Sequence, residues 1–296
     1  MRFAERLRGA EAGPPVFAPL VTRLVAHLEQ VSADHLERDA GALARTLKAA
    51  RQLLHLDAIV LDGVRAVTDA CASPPGSAGP WWRSFEPEDL RGHPRLATLA
   101  DAVGRLRSEV PAGTALIVRL PGPWALAAAL GGASDPPEEG LEAAGEACAR
   151  AARALSEARV DAVMVCEGIV PARHVEEAGG GLRSACNAVR YYEVGSVVCL
   201  PEAEAAEGPL GDGAGPDVVV VPAGAPAGSR RGGSGRGLAL APLAFTAAQP
   251  ERRAIIREAL AAAPGFRLVT TAGEVPAEST PEVVREVLGI LRAVAT

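Results

Sequence analysis

Two acidic residues and an arginine lie at the ends of apolar runs that are typical of buried strands. Asp62 ends the run A-I-V-L-D, Glu167 follows A-V-M-V-C, and Arg119 lies near the end of A-L-I-V-R-L. A carboxyl group in an apolar pocket has a raised pKa and can transfer a proton, and an arginine can bind a carboxylate. The three residues predict acid/base chemistry on an anionic organic substrate. Asp62 would be the proton donor or charge stabiliser, and Arg119 would be the anion anchor.

Each of these residues also has a structural interpretation. Asp62 could cap a helix or pair with Arg65, and Glu167 could pair with Arg173 at the surface. Because an arginine inside a protein needs a partner, Arg119 could form an ion pair with Asp62 or with Glu167. The sequence leaves the structural and the catalytic interpretations open.

Four further residues have chemically active side chains. Glu274, in T-A-G-E-V-P, could take an acid/base role or lie in an exposed turn. His174 is a candidate for substrate binding, although histidines that follow a strand more often lie at the surface or cap a helix. Cys166 and Cys199 lie within predicted strands, where we interpret them as buried apolar residues.

Eight apolar runs would position these candidates. Runs without polar alternation are typical of parallel strands that are buried on both faces. The predicted strands are Val16–Leu20, Ala58–Asp62, Ala115–Leu120, Ala162–Cys166, Ser196–Leu200, Asp217–Val221, Leu238–Leu243 and Phe266–Thr271.

Helical segments alternate with the strands. Ser32 and Asp34 are candidate caps for the first of these segments, and Gly179-Gly180-Gly181 is expected to interrupt the fourth. The predicted helices are Ala33–Leu54, Glu86–Glu109, Glu138–Ala158, Ala172–Val189, Pro250–Ala263 and Thr280–Val294.

The alternation of eight strands with helices predicts an α/β fold, a (β/α)8 TIM barrel that forms a single domain over residues 1–296. An open, doubly wound sheet is the alternative, but the sequence has no G-x-G-x-x-G after the first strand. In a barrel the carboxyl ends of the strands meet at one face, which is where ligands bind. Asp62, Arg119 and Glu167 should therefore lie at the same mouth.

Composition limits the classes of function. The net charge is −6, which argues against a nucleic-acid partner, and no apolar run approaches the ~20 residues that a membrane span needs. The amino terminus has no apolar signal segment, and five cysteines without paired spacing favour reduced thiols. We therefore predict a cytoplasmic protein with a small-molecule substrate, no nucleic-acid or membrane partner and no cofactor.

Two stretches rich in glycine or proline follow predicted strands. Ser73–Pro80 should form a loop on the active face. The second stretch, Gly224–Gly237, could be a flexible surface loop or a lid whose Arg230, Arg231 and Arg236 bind an anionic substrate. It does not match a phosphate-binding P-loop, because no G-K-[ST] closes it.

Several segments resemble the uroporphyrinogen decarboxylase superfamily. The run L-P-G-P-W-A-L, which contains Trp124, is similar to the family's G-A-P-W-T-L segment, and D-A-I-V-L-D, which ends at Asp62, resembles the strand that carries its essential aspartate. The segment that ends in Glu167 and the carboxyl-terminal G-F-R-L-V-T-T-A-G-E-V-P-A-E-S-T-P-E-V-V also match in order along the chain. The resemblance implies a barrel, a homodimer and a decarboxylase-like lyase.

The chain departs from the family pattern at the active-site positions. The family's R-Q-A-G-R motif is missing, so Arg23 is the arginine shortly after the first predicted strand that could bind substrate, together with Trp124. Glu274 stands where the family has a histidine. The corrinoid/thiol methyltransferase branch binds zinc through H-x-C and a further cysteine, of which this chain retains Cys199, so we predict no metal. Methyl transfer and a non-catalytic ligand-binding barrel remain alternatives to the lyase.

Overall fold

Eight parallel strands form a nearly closed barrel with helices around it, a (β/α)8 TIM barrel, which confirms the fold predicted from the alternation of apolar runs and helices. The computed structural model describes residues 3–9, 15–72, 79–131, 135–201, 215–223, 235–261 and 265–294. None of the helices in these ranges is both long and apolar enough to cross a membrane.

The strands of the barrel follow one another around the sheet in the order β1-β8-β7-β6-β5-β4-β3-β2. The first six agree with the predicted strands within one residue, whereas β7 both begins and ends three residues earlier and β8 ends three residues later. Their bounds are β1 Val16–Leu20, β2 Ala58–Asp62, β3 Ala115–Pro121, β4 Ala162–Cys166, β5 Gly195–Cys199, β6 Val218–Pro222, β7 Gly235–Leu240 and β8 Phe266–Glu274.

The helices cover the outside of the barrel. They are α1 Phe3–Arg8, α2 Thr22–Leu28, α3 Ala33–Leu36, α4 Ala40–Leu54, α5 Val64–Cys71, α6 Pro94–Glu109, α7 Pro123–Gly131, α8 Glu138–Glu157, α9 Val175–Tyr191, α10 Leu243–Thr246, α11 Gln249–Ala261 and α12 Pro281–Val294. Short 3-10 helices lie at Trp81–Arg83, Pro87–Gly92 and Ala172–His174.

Local capping explains where the predicted first helix divides. Ser32 caps α3 by accepting a hydrogen bond from the backbone N–H of His35 at 3.1 Å, as predicted. A second cap, Asp39, accepts from the N–H of Ala42 at 2.9 Å and begins α4. Because each cap satisfies backbone donors at a helix start, the segment forms two helices and not one.

The glycines Gly179-Gly180-Gly181 do not interrupt α9, contrary to the prediction. Gly181 faces α8 and the start of α7, where an added methyl group would lie 2.8 Å from Cα of Gly145 and 2.7 Å from Cγ of Pro123. Real side-chain carbons do not approach this closely. Glycine is therefore required here so that three helices can meet, and packing outweighs its low helix propensity.

Apolar side chains inside the barrel alternate with side chains that face the helices. Val60, Ile117, Met164 and Val197 belong to the cluster that fills the interior. Val165 and other outward residues pack with helical residues in a separate, larger cluster. Since successive side chains on a strand point to opposite faces, the next inward residue after each interior position lies at the mouth.

Three aspartates link neighbouring strands by hydrogen bonds at the amino end of the barrel. Each directly precedes an even-numbered strand, accepts a backbone N–H from the neighbouring odd-numbered strand and pairs with an arginine. They are Asp57 (with Phe17 at 3.2 Å and Arg292 at 2.7 Å), Asp161 (with Leu116 at 2.7 Å and Arg107 at 2.6 Å) and Asp217 (with Ser196 at 2.9 Å and Arg8 at 2.9 Å).

The barrel has one seam, a position where two neighbouring strands are not joined by a hydrogen-bonded ladder. In the described part of the chain, β1 pairs with β8 and β2 pairs with β3, but no ladder joins β1 to β2. Pro19 within β1 has no N–H to donate, which weakens pairing at this strand. The hydrogen bond from the N–H of Phe17 to the carboxylate of Asp57 links the two strands instead.

An irregularity in β8 lengthens this strand beyond its predicted end. Ala18 pairs with Thr270, but Leu20, two residues later, pairs with Glu274, four residues later, so β8 contains two extra residues. The hydroxyl of Thr271 accepts the N–H of Leu20 at 3.1 Å, and the carbonyl of Leu20 accepts the N–H of Val275 at 2.8 Å. Bulges of this kind redirect side chains near active sites, and this one places Glu274 beside β1 at the mouth.

The two predicted loops lie largely outside the described residues. Residues 73–78 of the first and residues 224–234 of the second, which include Arg230 and Arg231, are not among them. Arg236 lies at the amino end of β7 with its guanidinium 6.0 Å from the ring centroid of Phe266. Arg236 is therefore at the end of the barrel opposite the mouth and does not belong to a lid.

Candidate functional site

Polar and sulfur-containing side chains form the inward layer at the carboxyl end of the barrel. Asp62, Arg119, Cys166 and Cys199 each follow the last apolar interior residue of their strand by two positions. The alternation of side chains that fills the interior with apolar groups thus also directs these four groups to the mouth. Glu274 joins them from β8 because of the bulge.

Arg119 and Asp62 are partners across the mouth, one of the two pairings predicted for this arginine. Arg119 Nη1 lies 3.5 Å from Asp62 Oδ2, and both side chains are about one-quarter exposed. The other oxygen, Oδ1, accepts the backbone N–H of Val64 at 3.0 Å at the start of α5. Asp62 therefore also binds the first N–H of α5, although the residue at the N-cap position is Gly63. The predicted alternative partner Arg65 pairs with Asp34 at 3.0 Å.

Cys166 and Cys199 are not buried apolar residues, as their strand positions predicted, but partly exposed neighbours at the mouth. They are directly paired in the β4–β5 ladder, and Arg119 Nε donates to Cys166 Sγ at 3.2 Å. The hydrogen bond from Cys199 and the charge of Arg119 lower the pKa of Cys166 to about 7. The same hydrogen bond and burial raise the pKa of Cys199. Of the two thiols, Cys166 is therefore the one that ionises first.

The guanidinium of Arg119 is strongly favoured in its charged form. Burial opposes it, but the Cys166 thiolate and the Asp62 carboxylate raise the pKa of the guanidinium above its usual range. The contacts of Arg119 in the described part of the chain use Nε and Nη1. Nη2 is the amino group that remains for a ligand, which suits recognition of a carboxylate.

Glu274 is a carboxyl group that can exchange a proton near neutral pH. Burial raises the pKa of Glu274 to about 7, and the negative charge of Asp62 acts in the same direction. The backbone N–H of Arg23, at 3.3 Å from Oε2, and the positive charge of Arg119 oppose this rise. Arg23 itself is exposed in the first turn of α2, at the same end of the barrel.

Glu167 faces the helices and not the interior. Its carboxylate accepts the backbone N–H groups of Trp124 at 3.3 Å, Ala125 at 2.8 Å and Gly168 at 2.9 Å. Gly122 leaves room for it, because a methyl group there would lie 2.6 Å from the carboxyl carbon. Burial raises the pKa of Glu167 to about 7 despite these three hydrogen bonds. Its position at the start of α7 is that of a helix-capping group.

The pairings foreseen for Glu167 therefore do not form. Arg119 pairs with Asp62, and Arg173 pairs with Asp135 at 2.7 Å. A catalytic role for Glu167 stays a prediction, as do the roles assigned to the other candidate residues.

Trp124 and His174 pack against each other where the connections after β3 and β4 meet. Their rings are 5.3 Å apart between centroids and inclined at 33°. His174 Nε2 lies 2.7 Å from Asp135 Oδ1, and its side chain is 15% exposed. Trp124 is 6% exposed, so the indole forms part of the packed wall next to α7.

The donor atoms at the mouth do not fit a zinc site. Cys166 supplies a second thiol beside Cys199. Even so, the described residues contain no group of three or more His, Cys, Asp or Glu side chains arranged to hold a metal ion. The guanidinium of Arg119 lies against Cys166 instead, and a cation at that position disfavours a metal ion on the same sulfur.

The sequence contained a signal that could have found the two cysteines. In A-V-M-V-C and G-S-V-V-C the cysteine has the same parity as Met164 and Val197. Applying the period of two from an interior residue places both thiols at the mouth.

Comparisons with known proteins show the fold alone. No protein-family model matches the chain, and no curated protein matches it significantly. A methyltransferase from Methanosarcina mazei is similar in structure, with a TM-score of 0.73, 15% identity, and coverage of 100% of this chain and 98% of that one.

Two further solved structures have less similar barrels. A B12-independent methionine synthase from Shewanella sp. W3-18-1 has a TM-score of 0.50 and 13% identity over 86% of each chain. A GH20 module of the pneumococcal exo-β-D-N-acetylglucosaminidase has a TM-score of 0.52 and 10% identity over 98% of this chain and 83% of that one. The three proteins differ in activity, so their shared fold does not decide the chemistry of this chain.

Proposed function

We propose that this protein is an enzyme, a decarboxylase-like lyase that acts on a small organic acid at the carboxyl end of the barrel. The observation that supports it best is the grouping of Arg119, Asp62 and Glu274 at one mouth. These residues combine an anion-binding cation with a carboxyl group that exchanges its proton near neutral pH. The resemblance of several segments to the uroporphyrinogen decarboxylase superfamily supports the same class of reaction.

The residues have distinct roles in this proposal. Arg119 binds a substrate carboxylate through Nη2, and Asp62 keeps the guanidinium oriented. Both oxygens of Asp62 already accept contacts, from Val64 and Arg119, so Asp62 acts as a charge stabiliser and not as the proton donor. When the carbon–carbon bond to the leaving carboxylate breaks, its electron pair stays on carbon, and Glu274 supplies the proton to that carbon.

The test is conversion of carboxylates by the purified protein. We would incubate it anaerobically with uroporphyrinogen, coproporphyrinogen and a panel of smaller carboxylic acids, and follow the loss of carbon dioxide by mass spectrometry. Glu274→Gln should lower kcat by about 10²- to 10⁴-fold, the usual contribution of a general acid. Since protonated Glu274 is the active form, kcat should fall as the pH rises through about 7.

Matched variants separate binding from proton transfer. Arg119→Gln should raise KM, and Asp62→Asn should do so less strongly because the amide still contacts the guanidinium. Binding without conversion of any acid would contradict the lyase and support the non-catalytic barrel. Conversion that Glu274→Gln leaves unchanged would contradict the role given to this residue.

Methyl transfer is the second candidate, and the two thiols at the mouth favour it. The similarity of the fold extends to a methyltransferase and a methionine synthase, which transfer methyl groups, but at 15% and 13% identity. Metal analysis distinguishes the candidates: one equivalent of zinc that Cys166→Ser and Cys199→Ser remove would support the corrinoid/thiol type. The homodimer and the cytoplasmic location stay predictions from the resemblance and the composition.

A further inference from the structure

We propose that Cys166 is a nucleophilic thiolate that forms a covalent bond with electrophilic carboxylates held by Arg119 at the mouth of the barrel. This role rests on the proposed function in its use of Arg119 as carboxylate anchor and of Glu274 as proton donor. It adds a covalent step that the acid/base reaction does not contain.

The hydrogen bonds of Cys166 favour the ionised sulfur. Arg119 Nε donates to Cys166 Sγ at 3.2 Å, and the thiol of Cys199 donates to the same sulfur from the adjacent position of the ladder. Two donors, one of them cationic, stabilise a thiolate more than a thiol. Burial opposes the ionisation of Cys166, and so does the carboxylate of Asp62 on β2, which is itself paired with Arg119.

The other cysteines provide an internal contrast. Cys71, Cys148 and Cys186 are buried. Burial raises the pKa of Cys71 and of Cys186 to about 12, and Cys148 donates its thiol proton to the carbonyl of Pro121 at 3.2 Å. These three are neutral and enclosed, whereas Cys166 is partly exposed and faces the mouth.

The position of Arg119 selects the electrophile. One guanidinium contacts the sulfur through Nε, and its Nη2 has no contact among the described residues and can bind a ligand carboxylate. A carboxylate on Nη2 would bring a carbon one or two bonds away towards the sulfur. The chemical class that fits is an α,β-unsaturated or α-substituted carboxylic acid.

The groups at the mouth supply both the nucleophile and the proton that the covalent step needs. With an α,β-unsaturated acid, the sulfur–carbon bond forms at the β-carbon, and the electron pair of the double bond moves to the α-carbon. The α-carbon takes the proton of Glu274, whose carboxyl becomes a carboxylate. Reversal of these steps releases the acid and restores the thiolate.

Alkylation of the native full-length protein tests the proposal without a known substrate. We would treat it with iodoacetate and, separately, iodoacetamide, which share the reacting carbon and differ in charge. The thiolate displaces iodide, which leaves with the electron pair. Peptide mass spectrometry then gives the rate at each cysteine, and N-acetylcysteine in the same buffer gives the intrinsic preference between the reagents.

Three results are expected of the protein without substitutions, and one of each variant. Cys166 reacts first, its rate rises with pH through about 7, and its iodoacetate-to-iodoacetamide ratio exceeds that of N-acetylcysteine by roughly ten-fold, the effect of one charge-assisted contact. Arg119→Gln abolishes the excess ratio. Cys199→Ala moves the pH midpoint of Cys166 upward because the donated hydrogen bond is lost.

Two outcomes would overturn the proposal, and both are measured on the protein without substitutions. They are labelling of Cys166 no faster than of the three buried cysteines, and an iodoacetate ratio equal to that of N-acetylcysteine. An unreactive Cys166 in a protein that decarboxylates acids would remove the covalent role alone. A reactive Cys166 in a protein that converts no acid would remove the lyase and leave the thiolate site.

Discussion

Arg119 connects the groups of the candidate site. Its guanidinium contacts the carboxylate of Asp62 on β2 and the sulfur of Cys166 on β4, so one cation on β3 serves two neighbouring strands. An unpaired cation inside a barrel would be costly, and so would either anion without it. The three side chains therefore form a unit, and removal of Arg119 should raise the pKa of Cys166.

Glu167 provides a test of ionisation at a single residue. Burial raises the pKa of its carboxyl from 4.5 to about 7. Between these pH values the folded protein retains a proton that the unfolded chain has lost, so the free energy of unfolding should fall as the pH rises, by up to about 3 kcal/mol. Glu167→Gln should remove most of this slope and lose one hydrogen bond, about 1 kcal/mol at every pH.

Urea unfolding at several pH values measures the slope. Glu274→Gln is the matched control, because burial raises the pKa of that carboxyl to about 7 as well. This variant should remove the part of the pH dependence of unfolding that comes from Glu274 and leave the part that comes from Glu167. An unchanged slope in Glu167→Gln would show that this carboxyl is ionised in the folded protein throughout the range.

At the scale of elements, α7, α8 and α9 meet through glycines. Gly145 on α8 and Gly181 on α9 allow the two backbones to touch, and Pro123 at the start of α7 packs on the same point. This contact holds the amino end of α7, where Trp124 and Ala125 donate to Glu167. The glycines thus affect the wall of the mouth although they lie outside it.

Two neighbouring glycines of α9 should respond oppositely to the same substitution. Gly181→Ala forces a methyl group into Pro123 and Gly145 and should destabilise the protein by about 1–3 kcal/mol. Gly180→Ala meets only the end of the Arg183 side chain, at 3.8 Å, and should be neutral or stabilise by up to about 1 kcal/mol through helix propensity. Thermal unfolding of the two variants gives the comparison, and equal midpoints would contradict the close packing.

The sequence predicted elements wherever local pattern decides them. β2 and β4 were placed correctly because their residues are apolar on both faces, which marks a buried parallel strand. The end of β8 could not be predicted, because its two extra residues depend on partners in β1 that are distant in the chain. The short helices α2 and α5 were missed, since seven or eight residues give too few turns for a helical period to be visible.

The candidate site was predicted in part for the same reason. Asp62 and Arg119 were recognised by their position at strand ends, and the structure brings them together. Cys166 and Cys199 were assigned to the core because they lie within apolar strands. Their contact across the β4–β5 ladder, and that of Cys166 with Arg119 on β3, depend on the assembled barrel and are not visible in the local sequence.

At the scale of the whole molecule, the two ends of the barrel differ in composition. The amino end is fastened by three aspartates that link neighbouring strands and pair with arginines. The carboxyl end presents the charged and sulfur-containing groups of the candidate site. In barrels of this kind the amino end serves stability and the carboxyl end serves chemistry.

Asp57 should have the broadest effect of the three aspartates, because it crosses the seam between β1 and β2. Asp57→Ala leaves the N–H of Phe17 and the charge of Arg292 without their acceptor, and we expect a loss of about 1–3 kcal/mol. Asp57→Asn keeps an acceptor and should lose less. Amide hydrogen exchange should show β1 opening first in the alanine variant, and uniform protection of β1 would contradict this role of Asp57.

The separation of the two ends has a consequence for how this protein can diversify. Because the aspartates join the strands at the far end from Arg119, Cys166 and Glu274, substitutions at the mouth do not remove the links that hold the barrel. A lineage can therefore exchange one set of reactive groups for another while it keeps the links between strands that hold the barrel.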